Sequence, residues 1–394
     1  MRTTWTFHTV GELIFGRGAA DQLGDIARRL RAKRAMIITD VALVKAGLAD
    51  KVRAPLIAAD ITVGIFDGGA PEPPVAVAEV AVAAARDFRP HVLIGLGGGS
   101  NMDLAKIAAT ILAHGGSPRD YAGEDTIPGE IWPLICVPTT AGTGSEVSAA
   151  AVLTDTEAQN KFGILSNYLR PHAAVVDPIL SQKCPAKVTA DSGIDALTHA
   201  IEAYTAIENE QFPLPPGERS VYQGRHPLGD LLAEQAIELV GRHLRTAVLD
   251  GGNLAAREGM ALAATLAGMA FSNVGVALVH ALEYPIGGAT HCSHGAGNGL
   301  LLPHVMRFNK AVREDRMARI GQLLGAEATA DGAIAAIERL NQEIGIPRRL
   351  RDLGAREDQL PQFAAKAITV KRILRVNPRP VSEDDALAIL RAAY

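Results

Sequence analysis

The chain has 394 residues, 48% of them hydrophobic and 21% charged, a globular make-up long enough that two domains are expected rather than one core. A net charge of -4, from 39 basic and 43 acidic residues, leaves no polybasic surface to displace counterions from a nucleic-acid backbone, so no nucleic-acid partner is expected. The opening MRTTWTFHTVGELIFGRG is too polar for a signal sequence, and no run of about 18 or more apolar residues is free of charge and glycine breaks, which predicts a cytoplasmic protein with no membrane partner.

Up to about residue 180, short β-branched runs alternate with helical patterns. AMIIT (35–39), TVGIF (62–66), HVLIGL (91–96), PLICVP (133–138) and HAAVVD (172–177) read as buried strands, and VAVAEVAVAAARDF and NMDLAKIAATILAHG as helices between them. That alternation predicts a parallel sheet with helices on both faces. Asp40 ends the first of these strands, where its carboxylate can accept both ribose hydroxyls of an adenosine and repel a 2′-phosphate, favouring NAD over NADP.

HVLIGLGGGSNMDLAK reads as strand, glycine turn and helix. Gly97, Gly98 and Gly99 let the backbone approach a pyrophosphate, and Ser100 opens the following helix, whose amides form a positive end. The alternative is a tight turn without a ligand. The GxGxxG fingerprint fails because Ser100 stands where glycine is required, and a Walker loop fails for want of Gly-Lys-Ser/Thr. Asp40 also lies 57 residues before Gly97 instead of about 20 after it, so the topology is not the usual Rossmann order. In VPTTAGTGSEVS, the residues Thr139, Thr140, Thr143 and Ser145 follow another buried strand and read as a second wall for the nicotinamide half.

After Pro185 the pattern becomes Ala- and Leu-rich with helical period and no convincing strand. The first helix, DSGIDALTHAIEAYT, is expected to be capped by Asp191 and Ser192 and places Asp195 and His199 one turn apart on one face. His280 falls in an expected long apolar helix, GMAFSNVGVALVHALEY, and His294 follows after a Gly-rich stretch that turns the chain back. These four side chains can converge on one divalent metal, and three imidazoles with a carboxylate suit Zn²⁺ or Fe²⁺, although an Asp-His pair at this spacing also recurs by chance. The segment ENEQFPLPPGERSVYQGRHP reads as a loop, either an ordered surface insertion or a lid, in which Arg219, Arg225 and His226 could meet a carboxylate or stay solvated. Cys136, Cys184 and Cys292 are odd in number and lack a CxxC, so no disulfide framework is expected; Cys292 reads as a small buried residue rather than a ligand. The chain end reads as a Ser382-capped helix with Asp385 in its first turn.

Taken together, GGGSNMDLAK, PTTAGTGSE, the Asp195 and His199 pair, and the stretch from His280 through HGAGNGLLLPHV resemble the iron-containing (group III) alcohol dehydrogenase family. The match runs from Gly11 to Asn377–Arg379, nearly the whole chain. The resemblance implies an α/β NAD-binding domain over residues 1–185 and an all-helical metal domain over 186–394, the dehydroquinate synthase-like architecture, with a cleft between them and a homodimer as assembly. It implies Asp195, His199, His280 and His294 as ligands of Fe²⁺ or Zn²⁺, Asp40 at the ribose, and Gly97–Ser100 at the pyrophosphate. It further implies Asp103 and Lys161 near the ribose and nicotinamide side, with Thr139, Thr140 and Thr143 lining the cofactor.

Many members carry a histidine four residues after the third ligand; here that position is Tyr284, a poorer proton relay near neutral pH. It reads either as a catalytic part, with His291 or water as other relays, or as a packed residue. The expected reaction is NAD(H)-linked alcohol oxidation or aldehyde reduction on a small alcohol or hydroxy acid. The alternative is a hydroxyacid-oxoacid transhydrogenase acting on 4-hydroxybutyrate and 2-oxoglutarate, a branch that ERSVYQGRHPLGD and Tyr284-Pro285 resemble. A dehydroquinate synthase-like lyase fits less well, because those relatives use fewer histidine ligands.

Overall fold

The computed structural model describes residues 2–157, 160–215 and 217–394. In chain order its first half contains β1 (Glu12–Phe15), α1 (Leu23–Arg29), β2 (Arg34–Ile38), α2 (Val41–Lys45), α3 (Leu48–Ala58) and β3 (Thr62–Phe66). There follow α4 (Val75–Phe88), β4 (Val92–Gly97), α5 (Gly99–His114), β5 (Gly123–Glu124), β6 (Leu134–Pro138), β7 (Ala150–Asp155), β8 (Asn160–Leu165) and β9 (Ala173–Val176). Six strands form one sheet in the order β1-β9-β6-β4-β2-β3, with every pairing parallel. Residues of β2 divide by parity: Met36 and Ile38 pack in a core with α4 and α5, whereas Ile37 joins a core with α1 and α3. Burial on both faces explains why these strands read as unbroken apolar runs.

Two features escape the sequence pattern. The edge strand β1 keeps Glu12 and Leu13 exposed, and β7 and β8 form, with β5, a separate three-stranded sheet whose members mix Thr, Asp and Lys with apolar residues. Neither gives the continuous hydrophobic run of the central strands.

The second half is helical among the described residues: α6 (Ala186–Thr205), α7 (Pro227–Leu249), α8 (Leu254–Val274), α9 (Leu278–Thr290), α10 (His294–Leu323), α11 (Ala330–Ile344), α12 (Leu360–Ala367), α13 (Lys371–Leu374) and α14 (Glu383–Ala392). Together α6 to α14 bury one large apolar cluster. Backbone geometry leaves the helix at Arg313 within α10. No single helix is long and apolar enough to cross a membrane among the described residues. Ser382 caps α14 reciprocally with Asp385, as expected.

Three expectations are corrected. Helix α6 starts five residues earlier than Asp191, directly after Pro185, so Asp191 lies inside it and pairs with Lys187 one turn back. The expected long apolar helix around His280 is two helices, α8 and α9, bent by 103°. The break falls at Gly275, whose φ of +120° side chains rarely adopt, and it gives α9 its own N-terminus close to His280. The chain then turns before His294 not at Gly287 and Gly288, which remain in α9, but at His291, with φ of +55°.

The described residues of the insertion after Ile207 are tied to the rest of the chain. Val221 and Tyr222 are buried, Asn209 Nδ2 donates to the Gln223 carbonyl at 2.8 Å, and Gln223 Nε2 reaches back to the Thr6 carbonyl at 2.7 Å.

Candidate active site

The glycine turn joins β4 to α5 at the carboxyl edge of the sheet. Gly97 has φ of +145°, and a Cβ there would stand 2.3 Å from Nδ2 of Asn101, so the turn admits glycine alone. Gly98 occupies the cap position of α5, leaving the first amides of a 16-residue helix facing the cleft. Thr139 donates its amide to the Gly97 carbonyl at 2.9 Å, and Thr140 lies against Gly98, so both residues back the turn instead of lining the main cavity. Asp40, at the end of β2, accepts from the Leu43 amide at 3.0 Å and from Asn101 Nδ2 at 2.7 Å. These two bonds fix the carboxylate beside the turn and leave lone pairs for further donors.

A cavity of about 190 Å³ opens next to this turn. Gly99, Ser100, Asp103, Thr143, Ser145 and Lys161 line one side, and Asp195, His199, His280, Tyr284 and His294 line the other. The candidates from the two halves of the chain therefore share one space. Asp103 accepts from Ser145 Oγ at 2.6 Å and from the Val152 amide at 3.0 Å; burial pushes its carboxyl up despite these bonds and the nearby Lys106. Lys161 pairs with Glu72 at 2.5 Å across the mouth of the cavity.

Asp195, His280 and His294 offer donor atoms within 4.8 Å of one another. His199 Nδ1 lies 3.9 Å from Asp195 Oδ2, is buried, and has no hydrogen-bond partner among the described residues. Its ring stacks on Phe271 at 4.2 Å and on His280 at 4.8 Å. Burial holds His199 down at about 4, so it is a neutral base at ordinary pH. For Asp195, burial alone would raise the carboxyl, but the three imidazoles and the Asn298 amide outweigh it and hold it below the usual range. An unpartnered buried imidazole nitrogen beside a carboxylate and two more imidazoles is a donor set that suits a divalent transition metal.

Three partners of this set escape a reading by ligand type. His280 Nδ1 donates to Glu202 at 2.6 Å, and His294 Nδ1 donates to Glu283 at 2.5 Å, which turns each Nε2 toward Asp195. Asn298 Nδ2 donates to Asp195 Oδ1 at 2.8 Å. All three sit three or four residues from a candidate ligand, Glu202 after His199, Glu283 after His280 and Asn298 after His294. On a helix that spacing shares a face, and it is the signal that would have found them.

Other candidates lie elsewhere. His291 is exposed and Cys292 half-buried, and neither lines the cavity. Arg225 pairs with Glu208 and Asp230, while His226 is buried, caps α7 and stacks on Trp5. Arg219 is exposed, 3.6 Å from Asp125. None of the three faces the cavity. Tyr284 does line it, half-buried, with its ring 6.2 Å from that of His294.

Known proteins are similar to this chain over nearly its whole length. Residues 11–178 match the model of the iron-containing alcohol dehydrogenases, and residues 218–394 match that of the C-terminal part of the Fe-containing alcohol dehydrogenase family. Long-chain-alcohol dehydrogenase 1 of Geobacillus thermodenitrificans is 41% identical over 389 residues, covering 96% of this chain and 94% of the relative. The crystal structure of a 1,3-propanediol oxidoreductase superimposes with a TM-score of 0.92 at 38% identity, covering 99% of this chain and 100% of that one. Sulfoacetaldehyde reductase from Bifidobacterium kashiwanohense, solved in complex with NAD⁺, gives a TM-score of 0.86 at 29% identity over 100% and 99% of the two chains. This chain belongs to the iron-containing alcohol dehydrogenase family and is an oxidoreductase acting on CH–OH groups through NAD(H)-linked alcohol oxidation or aldehyde reduction.

Proposed function

We propose that Asp195, His199, His280 and His294 hold one divalent iron and that residues 1–185 hold NAD, for hydride exchange with small primary alcohols and their aldehydes. The observation that carries this reading is the single cavity lined by both the glycine turn and the four candidate ligands. When bound, the metal polarises the substrate oxygen and the nicotinamide exchanges the hydride.

The chain's own residues prepare those groups. Glu202 and Glu283 hold the Nδ1 side of His280 and His294 and so aim each Nε2 at Asp195, where Asn298 Nδ2 stands 3.2 and 3.1 Å from the two nitrogens, and Phe271 packs against the His199 ring. Asp40 accepts the ribose hydroxyls, held in place by Asn101. Tyr284 keeps its proton on Oη, because burial pushes the phenol up, so it acts as a hydrogen-bond donor in the cavity and not as a base. Zinc binds such nitrogen and oxygen sites more tightly by the usual order, so the metal found will follow supply. A cytoplasmic homodimer is part of this reading, the cytoplasmic placement resting on the sequence's lack of long apolar runs and the dimer on the family resemblance. The insertion's cations are engaged elsewhere and the named relatives above are dehydrogenases or reductases, so the transhydrogenase reading is not carried forward.

The test is an NADH-linked screen of short alcohols and aldehydes with iron-loaded and metal-stripped protein. Turnover confined to loaded samples supports the proposal, and equal turnover in stripped protein refutes it.

A further inference from the structure

A second cavity, of about 250 Å³, adjoins the first, and the two share Val152, Lys161 and Tyr284 as walls. Arg372 of α13 lines the second cavity. Its guanidinium lies over Gly163 of β8 so closely that a Cβ there would stand 2.8 Å from Nη2. Gly163 is two residues from Lys161, on the same face of the strand, so the two cations flank the passage between the cavities.

The charges around Arg372 are otherwise paired. Glu72 pairs with Lys161, Asp125 with Arg219, and both Glu124 and Glu218 with Arg375. Glu124 also accepts from Ser220 Oγ and the Val221 amide through its second oxygen. Among the described residues, no carboxylate lies within 4.0 Å of the Arg372 guanidinium, and no side chain or carbonyl accepts a hydrogen bond from it. A partly buried arginine left without an acceptor beside a catalytic cavity is a ready partner for an oxyanion.

We infer that Arg372 receives the distal carboxylate of the substrate, so that the preferred substrates are ω-hydroxy acids and the matching aldehyde acids. The hydroxyl or aldehyde end lies among the four candidate ligands, the carbon chain passes Tyr284, and the carboxylate enters the second cavity. This inference rests on the proposed reading of the first cavity as the site of NAD-linked alcohol chemistry.

The experiment compares kcat/KM for 4-hydroxybutanoate with that for 1,4-butanediol, an isostere whose far end is neutral, in the wild type, Arg372→Ala and Arg372→Lys. Neighbouring chain lengths, three to six carbons, are run in parallel. The wild type should favour the acid at one chain length or more. Arg372→Ala should lower the acid-to-diol ratio roughly 10- to 100-fold, the range of a hydrogen-bonded charge, and Arg372→Lys should restore part of it. Butanoate should inhibit the wild type competitively against the alcohol, and the alanine variant more weakly. No preference for any acid in the wild type, or an unchanged ratio in Arg372→Ala, overturns the inference. So does a raised KM for NAD with an unchanged ratio, which would assign the guanidinium to the cofactor. If neither acids nor diols are oxidised with NAD, the reading of the first cavity fails instead.

Discussion

Glu202 stands 2.6 Å from His280 Nδ1 and, on the same carboxylate, accepts the amides of Ala277 and Val279 at 2.8 and 2.7 Å. One buried acid thus satisfies the opening turn of α9 and orients a candidate ligand carried on that turn. The bend between α8 and α9, unexpected from the apolar run, is what brings the two jobs together.

Glu202→Gln keeps the shape but weakens the acceptor. Affinity for Fe²⁺, read by titration of metal-free protein with a competing chelator, should fall roughly 10- to 100-fold. Undiminished affinity would show that the carboxylate serves the helix end alone.

Asp40→Gly should raise the ratio of kcat/KM for NADP to that for NAD by about tenfold or more, because a like-charge contact with the 2′-phosphate is removed. Asp40 also caps α2 through the Leu43 amide, and because glycine is itself a tolerated cap the same change should lower unfolding free energy by only a few tenths of a kcal/mol in urea. An unchanged cofactor ratio with the stability loss intact would leave Asp40 a cap only.

Gly97→Ala should destabilise the protein by about 1–3 kcal/mol, the usual cost of a residue forced into glycine's backbone region. It should also weaken NAD binding, measured by nicotinamide fluorescence, since the inserted methyl meets Asn101 and that residue holds Asp40. Wild-type affinity in this variant would detach the glycine turn from the nucleotide.

Cys136 is fully buried in β6, and burial pushes its thiol up to about 12. Iodoacetamide at pH 8 should therefore modify Cys136 only after unfolding, with Cys184 and Cys292, which are half-buried, reacting first. Peptide mapping of the native protein checks the order.

The central strands were legible because burial on both faces turns them into continuous apolar runs; β1 and the small sheet were not, being an exposed edge and half-polar strands. The four candidate ligands stood out by residue type and by the i, i+4 pair, and the cavity gathers all of them. Glu202 and Glu283 were missed because an acid on a helix usually reads as a solvated face, and only the fold shows these two to be buried. The reverse holds for the insertion: Arg225, one of its candidate carboxylate receptors, is in fact paired with Glu208 and Asp230, whereas Arg372, unremarked in the sequence, faces a cavity. Hydrophobic pattern encodes faces, but charge pairing between distant segments is visible only once the chain is folded.

The most direct test of the four-residue metal site is His280→Ala, assayed for bound iron, NAD binding and NADH-linked turnover in one preparation. Iron and turnover should both be lost while NAD still binds. Full turnover in a variant shown by elemental analysis to carry no metal would contradict the site.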